Sequence, residues 1–325
     1  MDLVDRIFSV NDRTFEGLAI EVFVQQYVNT PVYRAFCDSL KIKPDNVSEI
    51  GDIPFLPVEL FKNYEVLASG QSPQVIFESS GTTGSIPSRH YVSDLSLYEK
   101  SFLLGFKRFY GEPSDYVFLG LLPSYLERNN SSLVYMTHKL IQYSGNPEGG
   151  FFLNEFEKLY NLLLELKAGK RKTILLGVTF GLLDFAEVYK MEFPELIVME
   201  TGGMKGRREE LTRPEVHERL CAAFGVAKIH SEYGMTELLS QGYSKGDGIF
   251  ELPPWMKMYT RDVYDPLKLL QPGRSGAVNI IDLANLNSCS FIATNDLGIV
   301  NDNGTFEIMG RVDNAEIRGC NLMVM

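Results

Sequence analysis

Directly after an apolar β-type run, Val75-Ile76-Phe77, the chain reads Glu78-Ser79-Ser80-Gly81-Thr82-Thr83-Gly84-Ser85. Glycine lets the backbone approach an anion with its N–H groups pointing inward, and small hydroxyls donate the remaining hydrogen bonds. Ser79, Ser80, Gly81, Thr82, Thr83 and Gly84 are therefore candidates for a phosphate-wrapping loop. A Ser/Thr/Gly cluster is also ordinary turn chemistry, and the Gly-Lys-Ser/Thr ending of a Walker A loop is missing. Three further blocks follow: Tyr233-Gly234-Met235-Thr236-Glu237, Thr294-Asn295-Asp296-Leu297-Gly298 and Gly310-Arg311-Val312-Asp313. A hydroxyl and a carboxylate just past a strand suit a phosphate with its Mg²⁺, which prefers oxygen ligands. The same Thr236-Glu237 pair suits the first turn of a helix. Asp296 before Gly298 also suits a turn, and Arg311 also suits a plain surface. His230 can be a base or a structural strand-end histidine.

These four blocks, in this order, resemble the adenylate-forming superfamily of acyl-CoA synthetases and firefly luciferase, which joins a carboxylic acid to AMP. The resemblance spans roughly residues 75 to 320. With Ile53-Pro54-Phe55-Leu56-Pro57 close before the loop and Arg318-Gly319-Cys320 near the last residue, the chain is most similar to the acyl-protein synthetases of the bacterial bioluminescence fatty acid reductase complex. Phenylacetate–CoA ligases are the next most similar family.

The resemblance implies roles. Ser79, Ser80, Thr82 and Thr83 would grip the β- and γ-phosphates of ATP within the loop that Gly81 and Gly84 open. Where the superfamily often continues Gly-x-Pro-Lys, this chain has Gly84-Ser85-Ile86-Pro87-Ser88-Arg89, so Arg89 would stand in for the lysine. Tyr233 and Gly234 would lie against adenine, as would the backbone of Gly202 and Gly203. Thr236 would meet the α-phosphate and Glu237 would hold Mg²⁺. Asp296 would take the ribose hydroxyls, and Arg311 the ribose or α-phosphate. Cys320 would carry the acyl group, with an inert tail cysteine as the alternative. The superfamily's Pro-x-x-His pattern is replaced by Pro123-Ser124-Tyr125-Leu126. Tyr125, Tyr135, Met136, Phe180 and Met235 are candidate acyl-pocket walls or plain core.

The expected function is ATP-dependent activation of a long-chain fatty acid, transfer to a cysteine, and hand-over to an acyl reductase subunit. An acyl- or aryl-CoA ligase and a non-catalytic nucleotide-binding subunit are the alternatives. The usual small carboxy-terminal domain is expected to be lacking.

Composition agrees with an enzyme body. The 325 residues are 45% hydrophobic and carry a net charge of −11, which argues against nucleic acid or an anionic membrane as the main partner. The four cysteines are scattered, with no Cys-x-x-Cys zinc spacing. Met1-Asp2-Leu3-Val4-Asp5 lacks a basic leader, and the apolar run from Ile174 to Leu183 is too short to span a bilayer. A cytoplasmic protein without a membrane span is expected.

The elements that must hold these residues read as follows. Residues 14–40 show helical spacing. Strands are expected at 116–122, 173–178, 196–199 and from 228. Helices are expected at 154–168, capped by Asn154, from 179 through 189, and at 212–224, with the box Thr212-x-x-Glu215. The β-α-β-α order predicts an α/β fold: a mostly parallel sheet with flanking helices. After residue 247, short strands at 277–281, 290–294, 299–300 and 306–308, with an Asn303-Gly304 turn, predict a smaller antiparallel part. The chain is taken as a single domain, 1–325, with a helical and extended amino-terminal part, 1–70, and a β-rich part, 247–325.

Overall fold

The computed structural model describes residues 2–79, 86–122, 130–202 and 211–312. These form two compact units. One comprises residues 1–73, 91–93 and 254–325, and the other 74–90 and 94–253.

The first unit begins with helices α1 (Leu3–Phe8), α2 (Asp12–Asn29) and α3 (Pro31–Ser39), strand β1 (Leu56–Pro57) and helix α4 (Leu60–Asn63). Helix α2 starts at a reciprocal cap. Asn11 Oδ1 accepts from the Arg13 N–H (3.0 Å), and Thr14 Oγ1 accepts from the Asn11 N–H (3.1 Å). Pro31, which has no N–H to lose at a first turn, opens α3.

The second unit holds β2 (Val75–Glu78), β3 (Arg89–Val92, whose last residues group with the first unit), α5 (Leu95–Tyr110), β4 (Val117–Leu121), α6 (Ser132–Ser144), β5 (Gly150–Phe152), α7 (Phe156–Ala168), β6 (Thr173–Val178), α8 (Thr179–Val188), β7 (Ile197–Thr201), α9 (Arg213–Phe224), β8 (His230–Tyr233) and β9 (Gly242–Ser244). Its main sheet has the order β5-β4-β6-β7-β8-β9. All neighbours are parallel except β8 and β9. Strands β4 and β6 are buried along their whole length, as a sheet covered on both faces requires. On one face Val117, Leu119, Leu121, Leu175 and Val198 share a core with Leu163 of α7, Phe185 of α8 and Leu220 of α9. On the other, Phe118 meets Phe106 of α5 with ring centroids 5.2 Å apart. A side-chain carbon at Gly120 would come within 2.8 Å of the Phe151 ring and 3.3 Å of Thr137 in α6.

The first unit is completed by β10 (Met256–Arg261), β11 (Ser275–Asp282), β12 (Phe291–Val300) and β13 (Phe306–Arg311). Its sheet runs β1-β12-β11-β10, with β13 also on β12. Strands β10 to β13 are antiparallel, as expected, but β1 is parallel to β12 through Leu56↔Ile292. The amino-terminal helices and the late strands thus belong to one unit. Phe291 lies among Phe23, Tyr33 and Phe55, with centroids 5.9–6.3 Å apart. Gln26 of α2 is buried against the loop before β12. Its Nε2 donates to the carbonyls of Asn285 (3.0 Å) and Leu286 (2.9 Å), and its Oε1 accepts from the Ser290 N–H (2.9 Å).

Two local expectations are corrected. Asn154 does not cap α7: the helix begins at Phe156 after Glu155, and no side chain bonds its first turn. The expected strands at 290–294 and 299–300 are one strand, because pairing with β11 and β13 carries β12 through the turn-like Asn295-Asp296-Leu297-Gly298.

Candidate active site

In an open parallel sheet, ligands gather beyond the carboxyl ends of the strands. The ends of β6, β7 and β8 bring together Thr179, Gly202 and the Tyr233–Glu237 turn. Gly202 follows β7 with φ +71°, a left-handed backbone that glycine adopts freely, and its carbonyl accepts from Thr179 Oγ1 (3.2 Å). Tyr233 ends β8. Thr236 and Glu237 form a turn closed by the Leu238 N–H to Met235 carbonyl bond (3.1 Å), so they do not open a helix. Glu237 is 4% exposed. Gly234 leaves room for a neighbour: a side-chain carbon there would come within 2.4 Å of the Glu232 carboxylate, which would have to shift.

The serine/threonine/glycine segment is anchored beside this turn. The Ser79 N–H donates to the Ser88 carbonyl (3.0 Å), and the Ser88 N–H donates to Ser79 Oγ (2.9 Å). One residue past Arg89, the buried His90 donates from Nδ1 to the Thr236 carbonyl (2.9 Å). A carbonyl can only accept, so the proton sits on Nδ1. The loop base and the Thr236-Glu237 turn are thereby tied together within one unit. Ser80, Gly81, Thr82, Thr83, Gly84, Gly203, Tyr125 and Cys320 lie outside the described residues.

Below the turn lies a carboxylate pair that the sequence reading did not select. Glu200 of β7 and Glu232 of β8 are 8% and 7% exposed. Glu200 accepts from Thr179 Oγ1 and Ser231 Oγ, both at 2.8 Å, with His217 Nε2 at 3.7 Å and Arg213 Nε at 4.0 Å. Burial works against its charge, yet these partners hold its carboxyl below the usual range. Glu232 has less support. Burial pushes it up to about 7, the Thr201 hydroxyl bond offsets part of that, and the Glu200 charge adds to it. The sequence signal for Glu200 was its place at the end of the apolar run Ile197-Val198-Met199, where a charge is costly unless partnered. His230 lies 3.1 Å from Tyr110 Oη. Burial, with Lys245 and Lys228 nearby, pushes it down to about 4, so it is neutral at physiological pH and structural in character.

In the other unit, Asp296 and Arg311 meet across β12 and β13. They are register partners, with Arg311 Nε 3.7 Å from Asp296 Oδ1. Asp296 is therefore a strand residue. Gly298 lets β13 approach: a side-chain carbon there would collide with the Glu307 carbonyl.

Of the pocket candidates, Met136 and Phe180 are core residues, Phe180 packing with Leu122 and Val178. Tyr135 donates to Glu99 Oε1 (2.5 Å), and Tyr233 Oη lies 3.6 Å from Met235 Sδ. An open groove along α7 contains none of the selected residues. No group of three metal-ligating side chains occurs among the described residues. Glu237 is a buried carboxylate in the turn after β8, a hard-oxygen donor that would fit Mg²⁺ shared with phosphates and water.

The family model of the acyl-protein synthetases, LuxE, matches residues 8–102 and 128–325. The chain belongs to the LuxE acyl-protein synthetase family. Membership makes it a ligase of that kind. It is 26% identical over 323 residues to the long-chain-fatty-acid–luciferin-component ligase of Vibrio harveyi, covering 91% of this chain and 83% of that one. The ligase of the same name from Aliivibrio fischeri is 26% identical over 341 residues, covering 94% and 86%. Among solved structures, 2-hydroxyisobutyryl-CoA ligase with 2-HIB-AMP and CoA superposes with a TM-score of 0.67 at 14% identity, over 95% of this chain and 71% of that one. ATP-bound MatB from Rhodopseudomonas palustris gives 0.53 at 20% identity, over 73% of this chain, which spans about half (47%) of MatB's length. The fold is that of adenylate-forming ligases. No helix among the described residues is long and apolar enough to cross a membrane.

Proposed function

We propose that this chain activates a long-chain fatty acid with ATP and passes the acyl group through a cysteine to an acyl reductase partner. The observation that carries the reading is the Thr236-Glu237 turn at the carboxyl end of β8, bonded through His90 to β3, the strand that follows the serine/threonine/glycine segment in sequence.

In the first half-reaction a carboxylate oxygen attacks the α-phosphorus of ATP, the P–O bond to pyrophosphate breaks, and acyl-AMP forms. Both reactants are anions, so alignment and charge stabilisation are the main tasks. Ser79, Ser80, Gly81, Thr82, Thr83 and Gly84 hold the β- and γ-phosphates, with Arg89 supplying charge. Thr236 meets the α-phosphate, and Tyr233, Gly234, Gly202 and Gly203 bound the adenine. Asp296 and Arg311 take the ribose. Mg²⁺, held by the Glu237 carboxylate, would neutralise phosphate charge.

In the second half-reaction the Cys320 thiolate attacks the acyl carbonyl, AMP leaves, and a thioester remains for the reductase. The described cysteines are poor alternatives. Burial pushes Cys37 up to about 12, pushes the Cys289 thiol higher still and raises Cys221, so each stays a thiol at neutral pH.

The test is acid-dependent ATP–pyrophosphate exchange across a panel of chain lengths, followed by labelling with radioactive fatty acid. Wild type should exchange and take up hydroxylamine-labile label. Cys320→Ser should still exchange but take up none. Tight ATP binding with no exchange for any acid overturns the reading.

A further inference from the structure

The Asp296 segment is a bulge whose missing ladder bonds are replaced by one arginine. Strands β11 and β12 pair at Ala277↔Leu297 and again at Asn279↔Ala293. Between these pairs, Thr294, Asn295 and Asp296 stand opposite Val278 alone. Such a bulge leaves backbone groups unpaired and re-aims a side chain, a device common beside active sites. Arg261, the last residue of β10, reaches across β11 into this gap. Its Nη1 donates to the Val278 carbonyl (2.7 Å) and Asn279 Oδ1 (2.8 Å), and its Nη2 donates to the Thr294 carbonyl (2.7 Å). Thr294 Oγ1 also donates to the Val278 carbonyl (3.0 Å) and accepts from the Asp296 N–H (3.1 Å). Asn295 is held on its far side by Glu59 Oε1, and its carbonyl accepts from the Val312 N–H (2.6 Å).

We infer that Arg261 is a positioning residue: its planar fork fixes the bulged backbone of Thr294–Asp296 and so aims the Asp296 carboxylate at the ribose hydroxyls. The inference rests on the ribose role proposed above for Asp296. A rigid fork with several donors at set angles suits two strands at once, which a lysine's single ammonium does not. Loss of Arg261 would remove the donor of the Thr294 carbonyl and leave the Val278 carbonyl only the Thr294 hydroxyl, so the bulge would be free to slide along β11. The consequence is loss of aim at one hydroxyl pair, not loss of the sheet, because both flanking stretches of ladder remain.

The test compares binding of ATP and 2′-deoxy-ATP by calorimetry, which needs no catalysis, for wild type, Arg261→Met and Arg261→Lys, each checked for native circular dichroism and melting. One charge-assisted hydrogen bond from the 2′-hydroxyl should make wild type prefer ATP by about tenfold to a hundredfold. In Arg261→Met that preference should shrink severalfold, mainly through weaker ATP binding, and Arg261→Lys should recover part of it. If Arg261→Met does not fold, Arg261→Lys carries the comparison alone. Folded variants that keep the full preference overturn the inference and leave the Asp296 role standing. A wild type that binds both nucleotides equally overturns the Asp296 role and this inference with it. Exchange measured alongside reports separately on adenylation.

Discussion

Glu237 and Asp296 are the two carboxylates on which the proposed chemistry depends, and their surroundings differ. Glu237 is buried in the turn after β8, so a change there removes one preorganised electrostatic contact in a water-poor position. Glu237→Gln should lower the exchange rate by roughly a hundredfold or more, with ATP affinity changed less. Asp296 instead faces Arg311 from the middle of β12, across the β12–β13 pairing. Asp296→Asn should weaken ATP binding about tenfold to a hundredfold, read as KM for ATP in the exchange assay. Normal kinetics in both variants would move the site elsewhere. These residues stand out in the sequence because four blocks in order resemble those of the adenylate-forming superfamily; by their own types and spacing they suit a helix start and a turn equally well. His90 was hidden, because its partner lies 146 residues away, and Glu200 showed only as a charge ending an apolar run, its partners lying 21 and 31 residues away.

At the scale of elements, legibility followed how local the causes were. Helix α9 was readable because its start is written in four residues. Thr212 Oγ1 donates to Glu215 Oε2 (2.7 Å), which also accepts from the Thr212 N–H (2.7 Å). Gly225 ends the helix at φ +65°. Thr212→Ala should cost about 1 kcal/mol of unfolding free energy in a denaturant titration, the usual worth of a cap; no change would mean that packing alone sets this end. Strand β12 was misread for the opposite reason. Its Asn-Asp-Gly composition favours a turn locally, while β11 and β13, on either side, impose an extended path. The sheet order of the α/β unit was outside the reach of periodicity. Only the alternation of strands and helices pointed to parallel pairing.

At the scale of the whole molecule, β8 carries two groups whose protons oppose each other. Glu232 has a folded pKa near 7, above its unfolded value. Between about 4.5 and 7 the folded chain holds that proton and the unfolded chain does not, so this group lowers stability as pH rises. His230 has a folded pKa near 4, below its unfolded value of about 6.5. Between those values the unfolded chain takes the proton, so this group raises stability as pH rises. The two slopes cancel between about pH 4.5 and 6.5. Glu232→Gln should expose the histidine slope: unfolding free energy should rise with pH by more than in wild type across that window, by up to about 1.4 kcal/mol per pH unit. Identical pH profiles for wild type and Glu232→Gln would refute the coupling.

The division of the chain between the two units has a consequence for how the protein is made. The α/β unit is nearly continuous in sequence, residues 74–90 and 94–253, and can close as soon as it leaves the ribosome. Helix α2 cannot complete its unit then, because the backbone that Gln26 grips arrives about 260 residues later, at a separation of 264 for Ser290. At roughly 5–20 residues per second, that is a wait of about ten seconds to a minute. During it, the apolar faces of Phe23 and Tyr33, which end in the core around Phe291, are without their partner. The segment that carries α2 and α3 is therefore synthesised well before the strands that bury it, and its apolar face is exposed on the nascent chain in the meantime.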